Sequence, residues 1–161
     1  MRLPALSLLA LVITAAQAQV TLSAMPLTRE QVSAFYITRG FSATAIAPYA
    51  QACVLSFEFR NAGRSALRYS LADWRAEDGI RIRSIAEWDA AWQKDGIPHA
   101  ARIAFRWAQF PAQQEFEAGD WIMGMAALEA RLPDRFRLIA RYHDEEGPHE
   151  ITLDNLVCSR D

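Results

Sequence analysis

The sequence has no excess of positive charge, few glycines and only two cysteines, and these shortages exclude several classes of protein. Its 161 residues include 17 Lys+Arg and 19 Asp+Glu, so the protein has no excess of cationic side chains with which to bind a phosphate backbone. Seven glycines are few for the loops that cradle phosphates or dinucleotides. The length fits one compact domain. A nucleic-acid-binding protein and a multidomain enzyme are therefore excluded.

Motifs of known catalytic machinery are missing as well. The sequence contains no Gly-x-Ser-x-Gly elbow, no His-Glu-x-x-His zinc motif and no phosphate-binding glycine loop. Neighbouring carboxylates, such as Asp73 with Glu77 or Glu117 with Asp120, have an ordinary spacing that assigns no general acid and base. The sequence therefore predicts a protein that is not an enzyme and needs no cofactor.

The first eighteen residues are predicted to be a cleaved signal peptide. Arg2 precedes an apolar stretch at residues 3–16, and Ala16-Gln17-Ala18 supplies the small-x-small pattern that signal peptidase recognises. The stretch is shorter than the roughly 20 residues that a membrane-spanning helix needs. Cleavage before Gln19 is expected, with no stable insertion into a membrane. The mature protein is predicted to be periplasmic or secreted.

The two cysteines are predicted to form a structural disulfide. An even number of cysteines in an exported protein is most often paired, and Cys53 and Cys158 allow only one pairing. The loop closed would be about 105 residues long, which the chain-entropy model values at up to about 4.7 kcal/mol. A redox-active pair would need a Cys-x-x-Cys motif or a cysteine at a helix start, and neither is present.

Residues 19–52 are predicted to form an N-terminal helical cap. Thr28 and Gln31 have the spacing of a capping box, and Gly40 is a suitable end for the helix that they begin. Ser42 begins a second short helix. The cap would lie against the domain that follows.

Residues 53–161 are predicted to form a β-sandwich. Leu55, Phe57 and Phe59 alternate with more polar residues, which is typical of a half-buried strand. About seven such segments follow at the intervals typical of antiparallel sandwiches. We therefore expect a mainly β fold, namely a single immunoglobulin-like or fibronectin-type sandwich.

One helix is predicted to be inserted among the strands. Ser84 and Glu87 form a second capping box, and Trp92 shares a helical face with Trp88, four residues before it.

In residues 103–107 the apolar positions alternate again. This segment is predicted to be a strand with Trp107 in the core.

Tryptophan and arginine are the residues best suited to a binding surface. Five tryptophans exceed what a small core requires, and aromatic and guanidinium side chains anchor many protein partners. Trp74 and Trp121 lie beside turns, and Arg102 and Arg106 take outward positions of a predicted strand. These four are the candidate partner-binding residues. The leading hypothesis is a non-catalytic periplasmic module that binds a protein or assists an envelope complex.

Two alternatives use other ligands. Met123 and Met125 are two residues apart on a predicted strand and point the same way. Thioethers select Cu(I), so a copper-binding protein is the first alternative, with His143 and His149 as further candidate ligands. Packing of both methionines in the core is the competing interpretation. The second alternative is a glycan-binding module that uses the tryptophans as platforms.

The register of the last hairpin separates the two histidines. Placing Ala140 opposite Ile151 keeps the apolar residues on one face, and it then puts Tyr142 opposite His149. A shift of one residue sends His143 to the other face. The histidines are therefore expected to be solvated and not to share a metal.

Overall fold

The computed structural model describes residues 19–159, so the predicted signal peptide lies outside the described residues. The described part contains eight strands and four α-helices. They are β1 Val20–Pro26, α1 Arg29–Ile37, α2 Ala43–Ala50, β2 Val54–Asn61, β3 Leu67–Ser70, β4 Arg75–Ala76, α3 Ile85–Lys94, α4 His99–Ala108, β5 Gln113–Phe116, β6 Trp121–Ala127, β7 Phe136–Asp144 and β8 Gly147–Leu156. Among them, no helix has the length and apolarity needed to cross a membrane.

The strands form two antiparallel sheets. The three-stranded sheet has the order β1-β2-β6. In the five-stranded sheet, β7 pairs with β8 along one edge and with β3 and β4 along the other, and β5 pairs with β3. The prediction of a mainly β fold is confirmed, and it takes the form of two antiparallel sheets with four helices.

A hydrophobic core lies between the two sheets. Leu55, Phe57 and Phe59 of β2 face this core and are at most 2% exposed. Leu138 and Ala140 of β7 belong to the same cluster. The alternation read from the sequence of β2 is therefore confirmed, and it sets which face of the three-stranded sheet turns inward.

A second core lies between the helices and the outer face of the three-stranded sheet. Val54 and Ala127 project outward from this sheet into a cluster with aromatic residues of the helices, among them Tyr36, Tyr49 and Phe105. The ring centroids of Tyr49 and Phe105 are 4.9 Å apart in an edge-to-face arrangement. The helices thus form a third layer.

The two capping boxes are present as predicted. The Thr28 side chain accepts a hydrogen bond from the backbone of Gln31, and the Gln31 side chain accepts one from the backbone of Thr28. Ser84 and Glu87 make the same reciprocal pair at the start of α3. Such pairs satisfy backbone donors that a helix start otherwise leaves unpaired.

The predicted helical cap at residues 19–52 begins with a strand instead. Residues 20–26 form β1, which pairs antiparallel with β2. Leu22 is 8% exposed and joins the core between the sheets. Residues 20–26 form a strand because their alternate residues are apolar and because β2 has a free edge with which they pair.

The segment read as a strand at residues 103–107 is part of helix α4, so two helices and not one are inserted between β4 and β5. Ala101 and Phe105 are four residues apart and both are buried in the helical layer. A short apolar alternation fits a helix as well as a strand. Packing of Phe105 into the aromatic cluster of the helical layer favours the helix. Trp107, two residues later, then faces solvent.

The disulfide between Cys53 and Cys158 is present and confirms the predicted pairing. Cys53 directly precedes β2, and Cys158 lies two residues after the end of β8. The bond therefore links one strand of each sheet. Both half-cystines are buried in the core between the sheets.

The last hairpin has the predicted register. Ala140 pairs with Ile151, and Tyr142 pairs with His149. His143 is opposite Pro148, so the two histidines occupy successive pairs and opposite faces. The hydrophobic pattern was sufficient to set this register.

Candidate functional site

The helical layer covers only one end of the outer face of the three-stranded sheet. At the covered end, Met125 and Ala127 of β6 are buried. Toward the other end, Met123 pairs across with Glu58, and Trp121 pairs with Arg60. At these last positions the side chains of Trp121 and Met123 are more than half exposed to solvent.

Three large apolar side chains near this open end are exposed, and we call them the open-end patch: Trp107 at 86%, Trp121 at 53% and Met123 at 57%. Among the described residues, the other exposed large apolar side chains are Met25 at 66%, in the cross-strand row of Met125, and Ile37 at 44%. Large apolar residues gathered at the surface of an otherwise well-buried domain indicate a contact surface.

A groove of about 450 Å³ runs beside the patch. Its walls come from the C-terminal end of α4, from α1 and from β6, and they include Leu27, Phe35, Trp107, Met123 and Met125. Most of this wall is apolar. The groove is large enough to take a few apolar side chains of another molecule.

Gly124 allows the end of α4, which carries Trp107, to lie close to Met123. The chain leaving α4 crosses β6 so closely that the Phe110 N–H donates to the carbonyl of Met125 at 2.8 Å. A Cβ atom at position 124 would lie 2.5 Å from the Phe110 nitrogen. Only glycine permits this approach, which brings the end of α4 against the sheet edge.

The charges next to the patch are paired with each other. A nitrogen of the Arg60 guanidinium lies 3.6 Å from a carboxylate oxygen of Glu58. The same guanidinium lies 5.8 Å from the ring centroid of Trp121. This pair contributes little net charge, so apolar contact dominates the chemistry of the surface.

The candidate tryptophans are placed differently from each other. Trp121 is exposed, but Trp74 is fully buried at 0% exposure, and its indole N–H donates to the carbonyl of Arg141 at 3.0 Å. Trp74 therefore offers no surface to a partner. Trp107 takes its place as an exposed aromatic. The helical spacing of Ala101 and Phe105 is the signal that points to this exposure.

Arg102 and Arg106 hold two helices together. Both lie on α4, four residues apart and so on one face, and both form salt bridges with Asp89 of α3. The Arg102 side chain is only 11% exposed, and it also donates to Gln93. Arg102 thus lies inside the helical layer and Arg106 lies at its surface with a side chain that is 44% exposed, and neither occupies the outward strand position expected for it.

Comparison with known proteins assigns no family to this arrangement. No protein-family model matches the chain, and no curated protein is similar to it.

The methionines and histidines of the alternative metal site lie on different sheets. Met25, Met123 and Met125 all project from the outer face of the three-stranded sheet. His149 belongs to the five-stranded sheet, where its ring stacks on Tyr142 and its Nε2 lies 2.7 Å from Asp144. Among residues 19–159, no three His, Cys, Asp or Glu side chains are grouped so that they could hold a metal ion.

Proposed function

We propose that the protein is a non-catalytic binding module that works outside the cytoplasm and holds an envelope protein through the open-end patch. The observation that carries the proposal is the exposure of Trp107 and Met123, which line one apolar groove, and of Trp121, two residues before Met123 on the same sheet face. Tryptophan is among the residues most enriched at the energetic centres of protein interfaces. Methionine adapts its shape to irregular apolar partners.

The compartment in this proposal is supported by the disulfide. Cys53 and Cys158 are paired, and such bonds persist in oxidising compartments. The predicted signal peptide points to the same place. We take the two sheets, with their shared core, as a β-sandwich of the immunoglobulin or fibronectin kind, a rigid support for a surface of this type.

The partner in this proposal presents an apolar segment to the groove. The walls supply flat aromatic and flexible thioether surface, and the neighbouring Arg60 and Glu58 pair with each other. A partner with aliphatic or aromatic side chains at its contact surface fits this chemistry. A strongly charged partner does not.

The first test is a double variant, Trp107→Ala with Trp121→Ala. We expect the unaltered protein to retain one partner from an envelope extract, and that purified partner to bind the double variant at least about tenfold more weakly. Truncating a central interface tryptophan typically costs about 2 kcal/mol or more. Binding is measured by calorimetric titration with the purified partner.

Ile37→Ala supplies the matched control. Ile37 is also apolar and is 44% exposed, but it is the last residue of α1 and belongs neither to the groove wall nor to the sheet face that carries Trp121 and Met123. This variant is expected to bind like the unaltered protein. Equal binding by the double variant, or equal weakening by Ile37→Ala, would contradict the assignment of the surface.

A second candidate function is Cu(I) binding. Met25, Met123 and Met125 place three thioethers on one sheet face, and the soft thioether sulfur selects Cu(I). Because Met25 and Met123 are both more than half exposed, an incoming ion has access to them. This candidate and the protein-binding function use the same face of the molecule.

Anaerobic titration with Cu(I) against a coloured chelator tests the second candidate. One bound equivalent is expected for the unaltered protein, with loss of binding in Met123→Leu, which keeps the side-chain volume but removes the sulfur. His149→Ala is the control, since His149 lies on the other sheet. Retained binding in Met123→Leu, or loss in His149→Ala, would reject the methionine site.

A further inference from the structure

A second cavity, on a different part of the surface from the open-end patch, opens into the core between the sheets. Its volume is about 410 Å³. The walls include Leu71, Ile82, Phe110 and Ala126, which all belong to that core. We call this cavity the core cleft. Any molecule that enters it contacts apolar side chains of that core.

Three arginines line the core cleft, and one of them is neutralised. Arg81 forms salt bridges with Glu87 at 2.9 Å and with Glu129 at 2.7 Å. The hydrogen bond from Arg81, followed by those from Ser84, lowers the pKa of Glu87 to about 2. Glu87 therefore stays ionised at physiological pH, and Arg81 brings no net positive charge to the cleft.

The other two arginines keep their charge available. Arg75 donates to the carbonyls of Ala72 and Trp74, and Arg83 lies over the ring of Trp88, 3.9 Å from its centroid. Among residues 19–159, neither guanidinium forms a salt bridge with a carboxylate. The core cleft thus combines an apolar interior with two arginines that have no carboxylate partner, beside an Arg81 group in which two carboxylates face one guanidinium.

The remaining polar groups of the wall are partly committed elsewhere. The amide of Gln109 accepts a hydrogen bond from the Tyr49 hydroxyl at 3.0 Å and donates one to the Tyr36 hydroxyl at 2.7 Å. The amide is therefore occupied within the helical layer. Ser70 and Gln113 also line the cleft, and they can donate to a negatively charged group.

We propose that the core cleft binds an anionic amphiphile, that is, a small molecule with an aliphatic body and one acidic head group. The body would occupy the apolar interior, and the head group would pair with Arg75 and Arg83. Guanidinium groups suit planar carboxylates and phosphates. The volume lies within the range of about 300–1,000 Å³ typical of small-molecule sites. This site is additional to the proposed protein-binding surface and shares no lining residue with its groove.

Calorimetric titration of the full disulfide-bonded protein with three probes tests the proposal. Decanoate carries both the tail and the acidic head, decyltrimethylammonium carries the same tail with a cationic head, and acetate carries the head alone. Saturable binding of one decanoate is expected, with no saturable binding of the other two. Equal binding of decyltrimethylammonium, or no binding of decanoate, would overturn the proposal.

Substitutions in the cleft provide the second part of the test. Arg83→Gln is expected to weaken decanoate binding by about tenfold, and Arg64→Gln, which removes the same charge from an exposed turn away from the cleft, is expected to leave it unchanged. Ala112→Trp adds bulk at an exposed position of the cleft wall and should abolish binding even if Arg83→Gln proves unstable. Unchanged affinity in both cleft variants would overturn the site.

Emission from Trp88 gives an independent readout. Arg83 stacks on this ring, so recruitment of the guanidinium by an acidic head group should shift the fluorescence of Trp88. We expect the shift to saturate at the same decanoate concentration as the heat signal. The fluorescence shift should be absent in Trp88→Phe, a variant in which the lining of the cleft is unchanged. A heat signal with no change in emission would show that decanoate binds away from Arg83. This result would contradict the proposed pairing of the head group with Arg83.

Discussion

Removal of the disulfide is expected to lower the free energy of unfolding by about 2–5 kcal/mol. The bond closes a loop with a sequence separation of 105 residues, so its loss frees a long stretch of the unfolded chain. It also ties the start of β2 in one sheet to the end of β8 in the other. Denaturant unfolding of the unaltered protein, with and without a thiol reductant, measures the effect.

The double variant Cys53→Ala with Cys158→Ala separates the bond from the reductant. Its unfolding midpoint should match that of the reduced protein and should not respond to added reductant. Alanine is preferred to serine, because both positions are buried at 1% and 5% exposure and an unpaired hydroxyl there would add its own cost. Equal midpoints for the oxidised protein and the double variant would show that the bond contributes nothing to stability.

Gly124→Val is expected to destabilise the protein by about 3 kcal/mol. The Cβ atom would lie 2.5 Å from the Phe110 nitrogen, 2.6 Å from its Cα and 2.7 Å from the Gln109 carbonyl carbon. All three neighbours are backbone atoms, so no side chain can rotate away to relieve the overlap. The segment after α4 would have to separate from β6. The change is measured by thermal and denaturant unfolding.

Gly119→Ala is the matched control for this substitution. A Cβ atom at Gly119 meets no atom within 4 Å, although the backbone has a φ of +91°. Its expected cost is about 1 kcal/mol, which comes from backbone strain alone. If Gly124→Val costs no more than Gly119→Ala, the close approach of the Phe110 segment is not what requires glycine at position 124.

The Gly124 substitution also bears on the proposed binding surface. The contact between Phe110 and Met125 holds the end of α4 against the sheet, and Trp107 lies three residues before Phe110. A variant that folds with this contact broken should move Trp107 away from Met123. Partner binding should then weaken even though every residue of the open-end patch is still present. Weakened binding would connect the packing at Gly124 to the function of the patch.

Features that depend on neighbouring residues were predictable from the sequence. The capping boxes at Thr28 and Ser84 need only residues three positions apart. The alternation of β2 and the register of the last hairpin follow from the requirement that one face be apolar. The disulfide followed from there being two cysteines. The strand β1 has the same kind of alternation, but it is short and is followed directly by a stronger helical pattern.

Other features depend on which elements meet in the folded chain. The segment containing Ile103, Phe105 and Trp107 has an apolar pattern that suits either a strand or a helix, and contact with the aromatic cluster of the helical layer selects the helix. Arg102 and Arg106 then lie on the face toward α3, where Asp89 pairs with both. Nothing in the local sequence of α4 indicates where Asp89 will be.

The sequence by itself determined which residues of β2 share a face, where α1, α2 and α3 begin and which cysteines pair, because these depend on short-range geometry or on a single possible pairing. Only the tertiary structure decided which apolar residues are exposed. Trp74 is buried and Trp121 is open to solvent, although both lie beside turns. Exposure depends on where the helical layer ends on the sheet. Which arginines line the core cleft depends on how the two sheets pack around it.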